Sequence, residues 1–337
     1  MADQNILLVV EDLSVDFETR SDSHKAIESV SMDVHSGETL AIVGESGSGK
    51  SVTSLAIMGL MRKPGVIRSG KVMFKVTDLL ALSSRQRRAY LGRDITMIFQ
   101  EPAVSLNPSY TVGYQIIEVL KLHLNMRSAE CRKRALKLLH KVGISDPLSC
   151  FKSYPHQLSG GMNQRVMIAM AISCKPSLLI ADEPTTALDV TVQAQILVLL
   201  RQLQKNNNMG MIFITHDLSL IPDIAQRVLV MYAGQVVESC TTDDLLQGPL
   251  HPYTKALLKS LPAHHTNKNA CLTTINGAPP RAGERISGCR FHTRCSYVNE
   301  YCRESTPELI AAVPEDPRLV RCFYPLSVDS KTSPGRA

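Results

Sequence analysis

The residue types best suited to chemistry are concentrated in residues 44–51, which read Gly-Glu-Ser-Gly-Ser-Gly-Lys-Ser. This run fits the pattern G-x-x-x-x-G-K-S, in which glycines let backbone N–H groups turn inward around phosphate oxygens. Lys50 would bring a positive charge to the β- and γ-phosphates, and the Ser51 hydroxyl would coordinate Mg²⁺. The candidate ATP-binding residues are Gly44, Glu45, Ser46, Gly47, Ser48, Gly49, Lys50 and Ser51.

A second candidate group lies where two carboxylates follow the apolar run 178–181. Asp182 is placed to hold the ligand shell of Mg²⁺, and Glu183 to polarise an attacking water as a general base. Taken alone, the run also fits a strand that ends in a solvated acidic turn. Together with the phosphate loop, it predicts hydrolysis of the bound nucleotide.

Four of the nine cysteines lie near the C-terminus with the spacing C-x₅-C-x₆-C-x₁₉-C. Four thiols in a short, weakly apolar segment suggest a metal that staples the segment. The paired spacing of zinc ribbons is absent, whereas iron–sulfur clusters accept more varied gaps. The residues therefore leave an iron–sulfur cluster, zinc and unmetallated thiols open. The candidate ligands are Cys289, Cys295, Cys302 and Cys322.

The same C-terminal segment is basic. We interpret its cationic side chains as a solvated surface rather than as a nucleic-acid site, because aromatics, which base stacking requires, are only 5% of the whole chain. These side chains are Lys268, Arg281, Arg285, Arg290, His292, Arg294 and Arg303.

Strands and helices are predicted to alternate around these residues. Buried-strand character covers residues 39–43, 178–181 and 211–215. Helical character covers residues 52–61, 84–140, 161–173 and 191–204. Residues 228–232 and 234–237 predict a hairpin, and from about residue 263 the periodicity fades. The alternation indicates an α/β core with a helical insert.

The composition bounds the function. The chain has 337 residues, of which 44% are hydrophobic and 20% charged, so it is not a disordered chain. Its formal net charge of +6 is too small to argue for nucleic acid, and it contains no Trp. No apolar run is long enough to span a bilayer and no signal peptide is evident, so we expect a cytoplasmic protein with mostly reduced cysteines.

Residues 158–164, Leu-Ser-Gly-Gly-Met-Asn-Gln, lie between the phosphate loop and Asp182. They resemble the signature motif of ABC-type ATPases, and the order of the motifs is also that of the family. Gln100 resembles the Q-loop glutamine, Asp189 the D-loop aspartate and His216 the switch histidine. Phe17 resembles the aromatic that stacks on adenine, although core packing is a serious alternative. The resemblance covers roughly residues 6–260.

The resemblance implies two chains that sandwich two ATP molecules. Ser159 and the amides of Gly160 and Gly161 would donate to the γ-phosphate held by the partner chain. His216 would contact the same phosphate beside the general base Glu183. The implied Mg²⁺ ligands are Ser51, Gln100 and Asp182, and Gln100 would link the ion to the helical insert.

The fold that the resemblance implies is an α/β P-loop NTPase of the ABC type. It would contain an antiparallel β subdomain, a helical insert over about 101–173 and a small Cys-rich C-terminal extension. We expect the ATPase domain to cover residues 1–262 and the extension to cover 263–337.

Shorter runs resemble the ATP-binding subunits of dipeptide and oligopeptide importers: residues 99–102, 105–108, 154–157 and 251–254. The resemblance implies a motor on the cytoplasmic face of the (inner) cell membrane, and a [4Fe–4S] cluster on the four cysteines. The implied partners are two transmembrane permease subunits, a second, paralogous ATPase and an extracytoplasmic peptide-binding protein, with no nucleic acid.

Two alternatives stay open at this point. One is an importer motor for nickel or glutathione, because nothing in the sequence of such an ATPase reports the cargo directly. The other is a soluble, non-transport ABC ATPase of DNA repair or translation. The chain has no long coiled coil and only one cassette, which disfavours that second class.

Overall fold

The computed structural model describes residues 5–19, 22–186, 188–261, 275–281, 283–284, 286–312 and 316–326. These residues divide between two compact units. The first unit comprises the described parts of Met1–Val9, Asp33–Thr39 and Met73–Ile214. The second comprises the described parts of Val10–Met32, Leu40–Val72 and Thr215–Ala337.

The strands of the described residues differ widely in length. They are β1 (Ile6–Glu18), β2 (Ser23–His35), β3 (Thr39–Val43), β4 (Gly65–Phe74), β5 (Thr77–Asp78), β6 (Ile95–Ile98), β7 (Leu178–Asp182), β8 (Gly210–Thr215), β9 (Arg227–Tyr232), β10 (Gln235–Thr241), β11 (Ile310–Ala311) and β12 (Leu319–Val320).

The helices are concentrated between β6 and β7. They are α1 (Lys50–Ile57), α2 (Ser84–Arg87), α3 (Pro102–Ser105), α4 (Val112–Leu124), α5 (Ser128–Lys141), α6 (Pro147–Lys152), α7 (Gly160–Ala171), α8 (Val190–Asn207), α9 (Ile221–Ile224), α10 (Thr242–Gln247), α11 (Pro252–Lys259) and α12 (Glu300–Glu304). None of the helices in the described ranges is long and apolar enough to cross a bilayer.

A parallel sheet forms the centre of the first unit. β6 pairs with β7, and β7 pairs with β8. Every residue of these three strands is buried, which matches their nearly continuous apolar sequences. Because Ile98 pairs with Ala181, the carboxyl ends of β6 and β7 lie side by side. The polar residues that follow the two strands therefore meet at one edge of the sheet.

Helices α4 to α7 pack on one another in the same unit. α5 shows why: its buried residues Cys131, Ala135, Leu138 and Leu139 recur at helical spacing and form one apolar face. The Thr111 side chain caps α4 by accepting a hydrogen bond from the N–H of Tyr114. Helix α7 begins at Gly160, so this group of helices contains most of residues 158–164.

The second unit contains a mixed sheet. β3 pairs in parallel with β9, which pairs antiparallel with β10, so the predicted hairpin is confirmed. β12 then adds antiparallel to β10, and β11 adds to β12. Most of β1, β2 and β4 also lies in this unit, in the order β2-β1-β4.

One expectation about the elements is wrong, and one long strand was not predicted. Residues 84–140 are not helical throughout, because Ile95–Ile98 form the buried strand β6. A run of four residues, three of them apolar, carries no periodicity that separates a strand from a buried helix. Strand β4 was not predicted, since glycines and charged residues interrupt its alternation.

Candidate functional site

The phosphate loop joins the end of β3 to the start of α1, as predicted. Gly44 has φ +152, and a Cβ there would lie 2.2 Å from the carbonyl oxygen of Met231. Only glycine fits at that position. The Lys50 side chain is only 4% exposed, and its Nζ donates hydrogen bonds to the carbonyl oxygens of Gly44 (2.8 Å) and Glu45 (3.0 Å). The loop therefore folds around the lysine ammonium group.

The chemistry of the loop fits a bound phosphate. The Ser48 hydroxyl is buried and has no hydrogen-bond partner among the described residues. A buried polar group without a partner is costly, and a phosphate oxygen would satisfy it. Gly47 has φ +80, and an added Cβ would meet no described atom within 4 Å, so this side of the loop is open. A buried ammonium, an unsatisfied hydroxyl and the N-terminus of α1 are together the features that suit an anion.

The predicted acidic group and Gln100 come together in the first unit. Gln100 Nε2 donates a hydrogen bond to Glu183 Oε2 at 3.1 Å, and Thr186 Oγ1 donates to the same oxygen at 2.9 Å. Asp182 ends β7 and is 4% exposed. Glu183 has φ +45, in the left-handed region that is unusual for a glutamate. The chain therefore bends sharply where the two carboxylates separate.

The signature residues form the start of α7. The Ser159 hydroxyl accepts a hydrogen bond from the N–H of Met162 at 3.3 Å, and Ser159 is the N-cap of the helix. Gly160 is exposed, and an added Cβ would meet nothing within 4 Å. A Cβ on Gly161 would lie 3.0 Å from Val192 of α8. These residues present an open helix N-terminus.

The predicted D-loop aspartate, Asp189, starts the neighbouring helix α8. Its side chain accepts a hydrogen bond from the N–H of Val192 at 2.9 Å. Asp189 itself is exposed. The structure therefore brings the starts of α7 and α8 close together through the contact of Gly161 with Val192.

Two predicted residues lie in the second unit with the phosphate loop. His216 directly follows β8 and is exposed. Phe17 lies near the end of β1, is half-buried, and has its ring centroid 5.8 Å from that of His24. The structure thus groups Phe17, residues 44–51 and His216 in one unit. Gln100, Asp182, Glu183, Asp189 and the signature residues are grouped in the other.

The four C-terminal cysteines line one cavity of about 20 Å³, together with aromatic side chains including Phe291 and Tyr297. All four are free thiols. Burial raises the pKa of Cys322 to about 11 and also raises the pKa values of Cys289 and Cys295. Four thiols around one cavity suit a cluster. However, no three His, Cys, Asp or Glu side chains in the described ranges are arranged to hold a single metal ion.

The basic residues of this segment do not all form a solvated surface. That interpretation is wrong for Arg290 and Arg294. The Arg294 side chain is only 3% exposed and makes an ion pair with Glu45 of the phosphate loop. Arg290 pairs with Glu28 and donates to the carbonyl oxygen of Ala233. Sequence reasoning missed these roles, since nothing local to an arginine identifies an acidic partner far away in the chain.

Comparisons with known proteins agree with the site. A family model described as ABC transporter matches residues 27–186. A second model, described as the C-terminal region of oligopeptide/dipeptide transporters, matches residues 237–302. The dipeptide transport ATP-binding protein DppD of Haemophilus influenzae is 52% identical, over 95% of this chain and 96% of its own length. The chain belongs to the ABC ATP-binding subunits of the dipeptide/oligopeptide importer family.

Other relatives of this ABC subunit extend the comparison. The oligopeptide transport ATP-binding protein AppD of Bacillus subtilis is 47% identical, over 94% of this chain and 96% of its own length. Among solved structures, the dimeric ATP-binding cassette MJ0796 bound to ADP and Pi matches 70% of this chain and 99% of its own. That match has a TM-score of 0.64 and 26% identity. The ABC ATPase fold is therefore shared.

Proposed function

We propose that this ABC subunit hydrolyses ATP to drive the import of di- or oligopeptides across a cell membrane. The observation that carries the proposal is the 52% identity to a dipeptide transport ATP-binding protein over nearly the whole of both chains. The folded phosphate loop around the buried Lys50 supports the ATPase part independently.

The roles of the loop residues follow from their chemistry. Lys50 would exchange its hydrogen bonds to the Gly44 and Glu45 carbonyls for the β- and γ-phosphates of ATP. The buried Ser48 hydroxyl would donate to a phosphate oxygen, which is the partner that it lacks among the described residues. Phe17, half-buried beside His24, would stack on the adenine.

Five residues would act on the γ-phosphate side of the nucleotide. Ser51, Asp182 and Gln100 offer the hard oxygen ligands that suit Mg²⁺, which neutralises phosphate charge when bound. Glu183, oriented by the Gln100 amide, would accept a proton from the attacking water. His216 would orient that water.

The motor would operate as a pair of ATPases. The open N-terminus of α7, with Ser159 as its cap, would donate to the γ-phosphate of ATP held by a second subunit, which we propose is a paralogue. Asp189 would lie at the same junction. Two permease subunits and an extracytoplasmic peptide-binding protein would complete an importer, with this subunit on the cytoplasmic face of the membrane.

We also propose that residues 263–337 are an extension of an ATPase domain covering 1–262, and that its cysteines hold a [4Fe–4S] cluster. What supports the cluster is the donor set: Cys289, Cys295, Cys302 and Cys322 line one cavity. When bound, the cluster would cross-link parts of the chain that are far apart in sequence. Each thiol would lose its proton on binding iron, against the effect of burial.

The proposed transport can be tested in cells that lack their own copy of the gene. We expect the wild-type gene to restore uptake of a radiolabelled dipeptide and Lys50→Ala to abolish it, because the loop loses the charge that binds phosphate. The control is Lys137→Ala, on the exposed face of α5, which should restore uptake fully. Dipeptide uptake by the Lys50→Ala cells would contradict the proposal. Uptake of nickel or glutathione in place of the dipeptide would overturn the assignment of the cargo.

A further inference from the structure

The C-terminal cysteine segment is joined to the phosphate loop by a buried ion pair. Arg294, which lies next to Cys295, donates from both terminal guanidinium nitrogens to the Glu45 carboxylate, at 2.6 and 3.0 Å. This is the paired geometry in which arginine holds a carboxylate most specifically. The Arg294 side chain is 3% exposed and that of Glu45 is 26% exposed, so water screens the pair weakly.

The position of Glu45 makes this pair important for a nucleotide. Glu45 is the second residue of the phosphate loop, and its carbonyl oxygen accepts a hydrogen bond from Lys50. An unpaired carboxylate there would repel a triphosphate across a short distance in a poorly screened site. Arg294 neutralises the carboxylate and holds it with two hydrogen bonds. The N–H of Glu45 is also fixed, since it donates to the Tyr253 hydroxyl at 2.9 Å.

Arg294 is itself held rigidly by its surroundings. Its Nε donates to the carbonyl oxygen of Asn276 at 3.1 Å, and its guanidinium carbon lies 5.8 Å from the centre of the Tyr232 ring. The backbone N–H of Arg294 donates to the carbonyl oxygen of Phe291. The Phe291 ring packs against both Tyr232 and Tyr253, with centroids 5.2 and 5.4 Å away. Phe291 therefore packs against the two tyrosines that contact the ion pair: Tyr232 contacts Arg294, and Tyr253 contacts Glu45.

We propose that Arg294 is a positioning residue for the phosphate loop, which sets the affinity of the subunit for ATP by neutralising and orienting Glu45. The inference rests on the proposed ATP binding at residues 44–51. The proposal predicts that two substitutions change the affinity for ATP in opposite directions. Removing the arginine leaves a negative charge beside the phosphates, whereas removing the carboxylate leaves a positive one.

The test measures Mg-ATP binding to the purified full-length chain by calorimetry, and KM and kcat in steady state. We expect Arg294→Gln to weaken ATP binding about tenfold or more and to raise KM, with kcat at saturating ATP changing much less. Glu45→Gln is expected to tighten binding by a few fold. The double variant should recover most of the affinity that Arg294→Gln loses, because the unpaired carboxylate is gone.

Control variants keep the outcome interpretable. Arg318→Gln breaks a comparable ion pair with Asp316, and it should leave ATP affinity at the wild-type value. Arg294→Lys keeps the charge without the paired geometry and should give an intermediate loss. If Arg294→Gln proves too unstable to purify, Glu45→Gln and Arg294→Lys still test the proposal. The first should raise the affinity for ATP and the second should lower it.

Failure of this inference is distinguishable from failure of the proposed function. If the wild-type chain binds ATP and Lys50→Ala does not, the phosphate-loop assignment stands. Wild-type affinity in Arg294→Gln, or a loss that the double variant does not recover, would then overturn the positioning role alone. A wild-type chain that binds no ATP would contradict both the proposed function and this inference.

Discussion

At the scale of single residues, the Glu183 carboxylate is the group whose geometry most directly suggests its role. Gln100 and Thr186 both donate to its Oε2, so the orientation of the carboxylate is fixed before any water arrives. Its left-handed backbone turns the side chain out of the strand direction that Asp182 follows. Strained backbone of this kind is tolerated where the surrounding structure holds it.

We expect Glu183→Gln to bind ATP and to lose at least about 100-fold in kcat, because general-base catalysis contributes roughly 10²–10⁴-fold. The amide keeps the size and a hydrogen-bonding oxygen but cannot take a proton at neutral pH. The measurement is phosphate release together with retention of ATP on the purified chain.

The matched control for that prediction is Glu130→Gln, an exposed acidic residue in the first turn of α5. It should hydrolyse ATP at the wild-type rate. Normal turnover by Glu183→Gln would show that another group is the base.

Some of the residue-level contacts could be predicted and others could not. Ser159 and Asp189 are found from the sequence because each is a short polar side chain directly before a helix, where local hydrogen bonds decide the structure. The pairing of Arg294 with Glu45 spans 249 residues. No local signal distinguishes that arginine from its neighbours, and we had interpreted it as solvated.

At the scale of elements, helix α11 depends on a buried histidine. His251 is the N-cap, and its Nδ1 accepts a hydrogen bond from the N–H of Tyr253 at 3.1 Å. Burial lowers the pKa of His251 to about 3. Protonation would remove the acceptor at Nδ1 and place a charge in the core. The folded state therefore requires the neutral ring.

This requirement predicts a pH dependence of stability. The folded pKa lies below the ordinary value of 6.5, so the unfolded chain takes up the proton first and stability falls as pH drops from about 6.5 toward 3. One such group contributes about 1.4 kcal/mol per pH unit within this range. The measurement is the thermal unfolding midpoint between pH 7 and pH 5.

The comparison variant is His251→Asn, which retains a capping oxygen without a titrating ring. We expect it to be less stable at pH 7, since packing is lost, but to show a smaller slope with pH. Burial raises the pKa of nearby Glu238, which is present in both proteins, so the difference in slope reports His251. Equal slopes would contradict the assignment.

Strands could be predicted from the sequence where both of their faces are buried. Strands β3, β7 and β8 are nearly continuous apolar runs, and their predicted bounds are close to the observed ones. β6 has the same character but is only four residues long and stands among helix-forming residues. Its partner β7 decides its conformation, and that pairing cannot be read from a single stretch of sequence.

At the scale of the whole molecule, the cysteine segment is attached to the rest of the second unit at several points. β12 extends the sheet at β10, Arg290 reaches Glu28, and Arg294 reaches the phosphate loop. A metal cluster on the four thiols would add a cross-link to this assembly.

We expect anaerobically purified wild-type chain to contain iron and sulfide and to absorb visible light, and Cys302→Ser to lose both. Cys302 is a buried member of the four thiols that line the cavity. ATP binding by Cys302→Ser should persist, since the phosphate-loop residues are unchanged. The measurements are metal analysis and the absorption spectrum.

Cys174→Ser is the matched control, because that thiol lies in the first unit and is not among the residues that line the cavity. It should keep iron and sulfide at the wild-type ratio. Zinc in place of iron, or protein with no bound metal, would contradict the cluster.

Tyr253 and Arg294 both hold Glu45, and their positions in the sequence affect the order in which the chain folds during its synthesis. Tyr253 and Arg294 follow Glu45 by 208 and 249 residues, so the ribosome releases the loop long before its supports exist. Contacts of such large sequence separation form late, after the entropy of closing a long loop has been overcome. A nascent chain would therefore expose an unsupported phosphate loop until the cysteine segment emerges, and full affinity for ATP would mark the completed protein.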